Sequence, residues 1–303
     1  MLGVIEVEGP GGRTPIRIRE AKPEDKDEIL EISSQIWEGH DYIPLVLDRW
    51  LEEGGLFAAE LDGKVVGFAK TTVLSPGELW FEGLRVHPSY RGRGIAKALA
   101  EAQLQEALAR SPSPRSIRLA TAEVNVESIH ISEELGFREL ARFTYMTGPV
   151  GEGRGSPKVV RAEELDRDKL AEFIFSSESY RQSHGLFPRG WVFFSFTEPL
   201  LEELIEQGAL FCYKDEEKVR GVIALLPAPH RPDRLIIVII EGDGEALSEL
   251  MSSAHRYARE RGFEEFRAMV PTATARLVQF LKEHGLSCES DFRYVLVYEY
   301  PLP

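Results

Sequence analysis

The stretch from Leu84 to Leu104, LRVHPSYRGRGIAKALAEAQL, restricts this chain more than any other segment. It reads as the end of a strand, a turn carrying Arg91, Gly92, Arg93 and Gly94, and a helix running on to about Arg110. Glycines between arginines put unhindered backbone at a helix N-terminus, where free amides and the positive dipole end suit a pyrophosphate. Each such contact contributes about 0.3–1 kcal/mol when exposed, so several together hold a dinucleotide-like tail. The turn lacks the Gly-x-x-x-x-Gly-Lys-Ser/Thr of a P-loop, and neither the third glycine nor the βαβ unit of a Rossmann turn follows it. Taken alone, it also fits a tight turn with solvated arginines. The order of the surrounding elements has to decide.

That order is legible. A strand near Ile16–Arg19 precedes a helix opening at Pro23, with Glu24, Asp25 and Asp27 in its first turn, and a second helix over about Pro44–Glu53. Residues 56–74 form two strands joined at Asp62-Gly63, residues 78–88 a third, and residues 115–124 a fourth beyond the long helix. A helix stopped by Gly136 and a strand over Ala141–Met146 complete the first half. A segment rich in glycine and proline, residues 148–157, then separates an expected domain 1–147 from an expected domain 158–303. The pattern begins again after it. An offset of 149 superposes Gly136 on Gly285, Phe143 on Phe292, Tyr145 on Tyr294 and Arg118 on Arg267, as in a duplicated domain. The alternative is two unrelated α/β units with matching helix ends.

At 303 residues and 43% apolar content, two soluble domains each have enough chain for a core. The net charge of −14 disfavours nucleic acid and anionic membranes as partners. Residues 1–150 hold 17 basic and 24 acidic side chains and the rest 19 and 26, so neither half forms a charged tail. No apolar run is long enough to span a bilayer and no secretory leader is visible, so a cytoplasmic protein is expected. Cys212 and Cys288 show no ligand spacing, and no metal site is expected.

The turn and its surroundings resemble the GNAT N-acetyltransferase superfamily, whose signature Arg/Gln-x-x-Gly-x-Gly/Ala is matched by Arg91, Gly94 and Ala96 after Val86-His87-Pro88 and Tyr90. Downstream, Asn125, Ser128 and Leu135-Gly136-Phe137 match a second element of that family, and the resemblance covers residues 15–147. It implies tandem GNAT folds of the α/β (α+β) class: a mixed, mostly antiparallel sheet flanked by helices, with a degenerate second copy. It implies acetyl-CoA as cosubstrate. Backbone of Leu84, Arg85 and Val86 would hold the pantetheine, the amides of Arg91, Gly92, Arg93, Gly94, Ile95, Ala96 and Lys97 the pyrophosphate, and Asn125 with Ser128 the thioester end. Where family members often carry a tyrosine acid, seven residues after the asparagine, this chain has Ser132, which can orient but hardly donate. Tyr145 or water is the alternative acid. Glu82 is expected as the base; its other reading is an ion-paired surface glutamate. His87 and His130 are weaker candidates for acid or base.

Acceptor specificity in that family comes from the two-helix segment, where Trp37, Asp41 and Tyr42 offer an aromatic wall and a carboxylate for a cationic group, or plain loop packing. Together with Glu82–Val86 the segment resembles the histidine N-acetyltransferase group. The expected acceptor is therefore a small-molecule amine, in particular a free amino acid such as histidine. Peptide N-termini and a non-catalytic acyl-CoA-binding module are alternatives, and homo-oligomerisation is left open. The second half has Glu241-Gly242-Asp243-Gly244-Glu245 where a phosphate turn would lie, and its acids would repel a diphosphate.

Overall fold

The computed structural model describes residues 3–9, 12–216, 218–288 and 290–302, with side chains from residue 15 onward except that of Trp37. The chain divides into two compact units: residues 1–119, 126–138 and 298–303, and residues 120–125 and 139–297.

The first unit opens with strands β1 (Gly3–Gly9) and β2 (Gly12–Glu20), followed by helices α1 (Lys26–Ser34) and α2 (Ile43–Glu53). Strands β3 (Leu56–Leu61), β4 (Lys64–Ser75) and β5 (Glu78–Val86) lead into helix α3 (Ile95–Leu108), then β6 (Ser116–Ala122) and α4 (Val126–Glu134). The Asp62-Gly63 turn behaves as its sequence predicts, with φ of +51° and +81° at its two central residues. Neighbouring strands from β1 to β5 run antiparallel, and β5 pairs with β6 in parallel. Strand alternation sorts the core: Leu56 and Ala58 join Ile29, Val46 and Trp50 from α1 and α2, while Phe57 and Ala59 join Ile95, Leu99 and Ala102 from α3. Arg19 locks the entry to α1 by gripping both carboxylate oxygens of Asp25, at 2.6 and 2.8 Å.

Strand β7 (Arg138–Pro149) falls in the second unit from residue 139 on. That unit continues with β8 (Val159–Arg161), α5 (Arg167–Phe175), α6 (Glu178–Gln182), the hairpin β9 (Leu186–Arg189) and β10 (Val192–Ser195), and α7 (Glu198–Glu206). Strands β11 (Leu210–Asp215), β12 (Lys218–Ala228) and β13 (Arg231–Gly242) precede α8 (Gly244–Glu260), β14 (Glu265–Pro271), α9 (Ala275–Glu283) and β15 (Tyr294–Glu299). The duplication is carried by the elements themselves. An offset of 149 maps β6 onto β14 and α4 onto α9 residue for residue, and both helices stop at a glycine of positive φ, Gly136 and Gly285.

The expected boundaries at 147 and 158 differ from these units for three local reasons. The later part of strand β7 pairs with β14, from Phe143 opposite Pro271 to Pro149 opposite Glu265. The expected linker is a strap on α8: the Gly151 amide donates to His255 Nδ1 at 2.9 Å, and Arg154 exchanges two bonds with Ser252. Finally, the terminal residues belong to the first unit. Tyr300 donates its amide to the Ile117 carbonyl and packs its ring edge-on against Phe137, the Tyr298 hydroxyl donates to Glu133, and Glu299 binds Arg118, which also binds Glu78. Among the described residues, no helix is long and apolar enough to cross a membrane.

Removing residues 298–303 strips Arg118 of one carboxylate and Phe137 of its aromatic cover, at an expected cost of about 2–4 kcal/mol. Thermal unfolding followed by circular dichroism should show a melting temperature lowered by several degrees. An unchanged transition would mean that the tail contributes nothing.

Candidate functional site

The site is built on β5. Its parallel pairing with β6 runs from Glu78 opposite Ser116 to Phe81 opposite Leu119, and Glu82–Val86 then continue against β4 alone. Between the pairs Lys70–Glu82 and Phe68–Arg85 the register slips by one residue, a bulge centred on Gly83 at φ +67°. A Cβ at Gly83 would sit 2.7 Å from the Trp50 ring, so both the backbone angle and the close packing demand glycine. Leu84 and Val86 accept hydrogen bonds on their carbonyls from Arg85 and Arg91, and their backbone borders the stretch that β6 leaves unpaired.

Beyond β5 the chain makes a short 3-10 turn at Pro88–Tyr90 and enters α3 through Gly92 and Gly94, at φ +72° and +79°. Nothing lies within 4 Å of a Cβ placed on either glycine. The first helical bond is donated by Ala98 to Gly94, and the amides from Gly92 to Lys97 find no acceptor among the described residues. Arg91 is held by the Val86 carbonyl, Arg93 by the Ser89 carbonyl and the Tyr90 ring, and Lys97 by Glu134. The result is a cradle of outward-facing amides rimmed by cations, and it fits a diphosphate. His87 Nδ1 accepts from the Ser89 amide while Nε2 meets Gln35, so its ring braces the turn.

At the other end of the bulge, Glu82 is half-buried and accepts a 2.5 Å hydrogen bond from Thr72. Burial raises its carboxyl pKa above the ordinary range, against the opposing pull of that bond and of the Lys70 and Arg49 charges. Lys70 stands opposite it in the β4–β5 register, 2% exposed, with its ammonium on the Gly54 carbonyl and 3.4 Å from Glu53. Burial lowers the Lys70 pKa, and Glu53 works against the shift. Tyr42 packs its ring edge-on against Trp50, and burial together with the Glu82 charge pushes its phenol upward.

Asp41 differs from its expected role. Its carboxylate, 1% exposed, is held at both oxygens by Arg85, at 3.0 and 3.1 Å, and so is already neutralised. Removing the arginine would strand a buried charge at a cost of about 3–5 kcal/mol. Asp41 thus fixes Arg85 beside the Tyr42 ring instead of presenting a bare carboxylate. The Trp37 side chain lies outside the described residues.

Ser132 is buried in α4, where its hydroxyl donates to the Ser128 carbonyl at 2.8 Å, a bond that commits its proton to the helix backbone. His130 is exposed on the same helix, 3.5 Å from Glu134. Asn125 and Tyr145 fall in the second unit. Asn125 is exposed and closes a turn from its amide to the Ala122 carbonyl. The Tyr145 ring is buried between Trp191 and Phe292 with the Arg267 guanidinium over it, and burial raises its phenol pKa. Lys70, Thr72, Trp50 and Arg49 were not singled out in the sequence. Extending the β4–β5 hairpin register back from Ser75–Glu78 would have set Thr71 across from Glu82, because the register slips by one residue between Val73 and Ser75.

In the second unit the corresponding helix start is filled by protein. Asp243 caps α8 by accepting from the Ala246 amide, and Arg220 binds Asp243, Glu245 and Asp215. The crevice where β13 runs past β14 is lined by Phe143, Tyr180, Phe187 and Phe196 and keeps a cavity of about 40 Å³.

Solved structures share this architecture across the whole chain. A tandem GNAT protein from the clavulanic acid biosynthesis pathway superposes with a TM-score of 0.61 over 95% of this chain and 99% of its own, at 10% identity. A GCN5-related N-acetyltransferase from Sphaerobacter thermophilus gives 0.62 over 94% and 95%, at 15% identity. The fold is therefore a tandem of GNAT folds. Residues 26–137 match the family model described as Acetyltransferase (GNAT) family. Its sequence relatives include the histidine N-acetyltransferases of Scomber australasicus, 32% identical over 42% of this chain and 36% of that protein, and of Xenopus tropicalis, 36% identical over 33% and 32%. The chain thus spans about a third of the length of these curated relatives.

Gly94→Val should weaken acetyl-CoA binding at least tenfold in calorimetry, since its branched side chain would stand in front of the amides. Gly63→Val shares the positive φ and the open surroundings and serves as the strain control. Equal affinity in the two variants would remove the cradle assignment.

Proposed function

We propose that the first unit transfers acetyl from acetyl-CoA to the α-amine of a free amino acid, with histidine the leading candidate. The observation that carries this reading is the placement of Glu82. A half-buried carboxyl of raised pKa, bonded to Thr72, stands where β5 leaves β6, on the strand that leads directly into the amide cradle. The match to histidine N-acetyltransferases over the same segment supports the choice of acceptor.

In the proposed reaction the neutral amine attacks the thioester carbonyl carbon, the new C–N bond forms, the C–S bond breaks, and the amine proton passes to Glu82 directly or through water. An α-amine with a pKa of about 7.7–8 is partly neutral at physiological pH and needs only a modest base, which a raised carboxyl provides. The leaving thiol has a pKa of about 8.5, low enough for it to depart as the thiolate and take up a proton from bulk solvent afterwards, while Ser132 keeps its proton in the bond to the Ser128 carbonyl. Tyr42 and Trp50 form the apolar wall beside Glu82. Assembly of copies and location in the cell play no part in this reading.

A panel of amino acids assayed by release of free CoA thiol tests it. Activity lost on the acid side should follow an apparent pKa above the ordinary glutamate value, because burial of Glu82 favours its protonated, inactive form. Glu82→Gln should abolish that limb and lower kcat about 100-fold. Turnover of peptides but not of free amino acids would reassign the acceptor, and tight acetyl-CoA binding without any turnover would leave an acyl-CoA-binding module.

A further inference from the structure

Arg49 has no part in the reaction described above. It stands on α2 next to Trp50, whose ring covers Gly83. Its Nε is 3.5 Å from Glu53 Oε1, Glu53 Oε2 is 3.4 Å from the Lys70 ammonium, and Lys70 stands opposite Glu82 across β4 and β5. A line of alternating charge therefore runs from solvent to the buried base. Its two cations differ in what they can still bind. Lys70 is enclosed and donates to the Gly54 carbonyl. The Arg49 side chain is 63% exposed, and its contact with Glu53 is longer than a charge-assisted hydrogen bond. Arg85, the remaining cation of this pocket, donates through Nε and Nη2 to Asp41 and through Nη1 to Leu84.

An α-amino acid carries a carboxylate two bonds from the amine that must lose its proton. Placing that amine at Glu82 brings the carboxylate toward Glu82 and Glu53, and like charges in a half-buried site repel unless a cation intervenes. A guanidinium at the rim is suited to this, since its planar fork matches a carboxylate at two points. The geometry points to Arg49 as the residue that binds the acceptor's carboxylate, which makes the substrate class α-amino carboxylates and excludes their decarboxylated amines. This inference rests on the reading of Glu82 as the base.

The test compares, in the full chain, the amino acid turned over fastest and the amine left when its carboxylate is removed; for histidine the pair is histidine and histamine. Wild type should favour the amino acid. At a pH above the acid limb, where the Arg49 charge no longer affects the ionisation of Glu82, Arg49→Gln should raise its KM at least tenfold while leaving kcat/KM for the decarboxylated amine and the acetyl-CoA Kd within twofold, and Arg49→Lys should recover part of the loss. A melting temperature within a few degrees of wild type would show the variant folded, as expected for an exposed side chain. Equal losses on both acceptors, or no loss on the amino acid, would overturn the role of Arg49 while leaving the base untouched. A wild type that binds acetyl-CoA and acetylates neither acceptor would overturn the base and Arg49 together.

Discussion

The first unit is organised by one break in hydrogen bonding: β5 and β6 stop pairing after Phe81 and Leu119. Backbone groups left without a ladder partner are costly if buried, so this stretch needs either solvent or a guest with its own amides. The bulge at Gly83 turns β5 at the same point, and the Trp50 ring fills the space that a Cβ would take. Upstream of the bulge, Glu82 shares its β5 position with Lys70 on β4. Downstream, the strand delivers the chain to the glycines of the helix entry. One irregularity thereby sets Glu82 and the entry to α3 on either side of a single turn of the strand.

The two units show how one frame tolerates opposite uses of the same helix start. In the first, Gly92 and Gly94 hold the backbone open and, among the described residues, no side chain caps α3. In the second, Asp243 answers its helix from within the chain and Arg220 ties the neighbouring acids together. A dipole already satisfied by a tethered carboxylate has little left to offer a free anion. Bulky aromatics on β9, α6 and β7, with Phe196 just after β10, line the adjacent crevice, so the second copy packs side chains where β13 runs past β14.

Much of this was legible in the residues because it is local. Periodicity, the Asp62-Gly63 turn, the glycines of the helix entry and the stop at Gly136 all act within a few positions, and each marks its element. The hairpin β9–β10 and helix α6 escaped because residues 177–195 mix aromatics, glycine and serine without a clean period. The site was legible only in part. Glu82 and the turn could be named, but the bond between Asp41 and Arg85 joins positions 44 apart, and nothing in either neighbourhood announces it. The same holds for Lys70, whose partners Gly54 and Glu53 lie off its strand, whereas Arg49 meets Glu53 one turn along its own helix. Ser132 is the reverse case: its partner is one helical turn away, and a serine inside a helix bonding back to residue 128 is a local expectation.

The membership of residues 298–303 in the first unit carries a consequence for biosynthesis. Arg118 and Phe137 meet Glu299 and Tyr300 only after the intervening residues 139–297 have been made, so the first unit stays incomplete until then. Contacts of such long sequence separation close slowly, and the nascent chain meanwhile shows solvent the surfaces that the tail will cover. Losing residues 298–303 would therefore spoil a unit built mostly from residues 1–138, leaving it a target for chaperones and proteases.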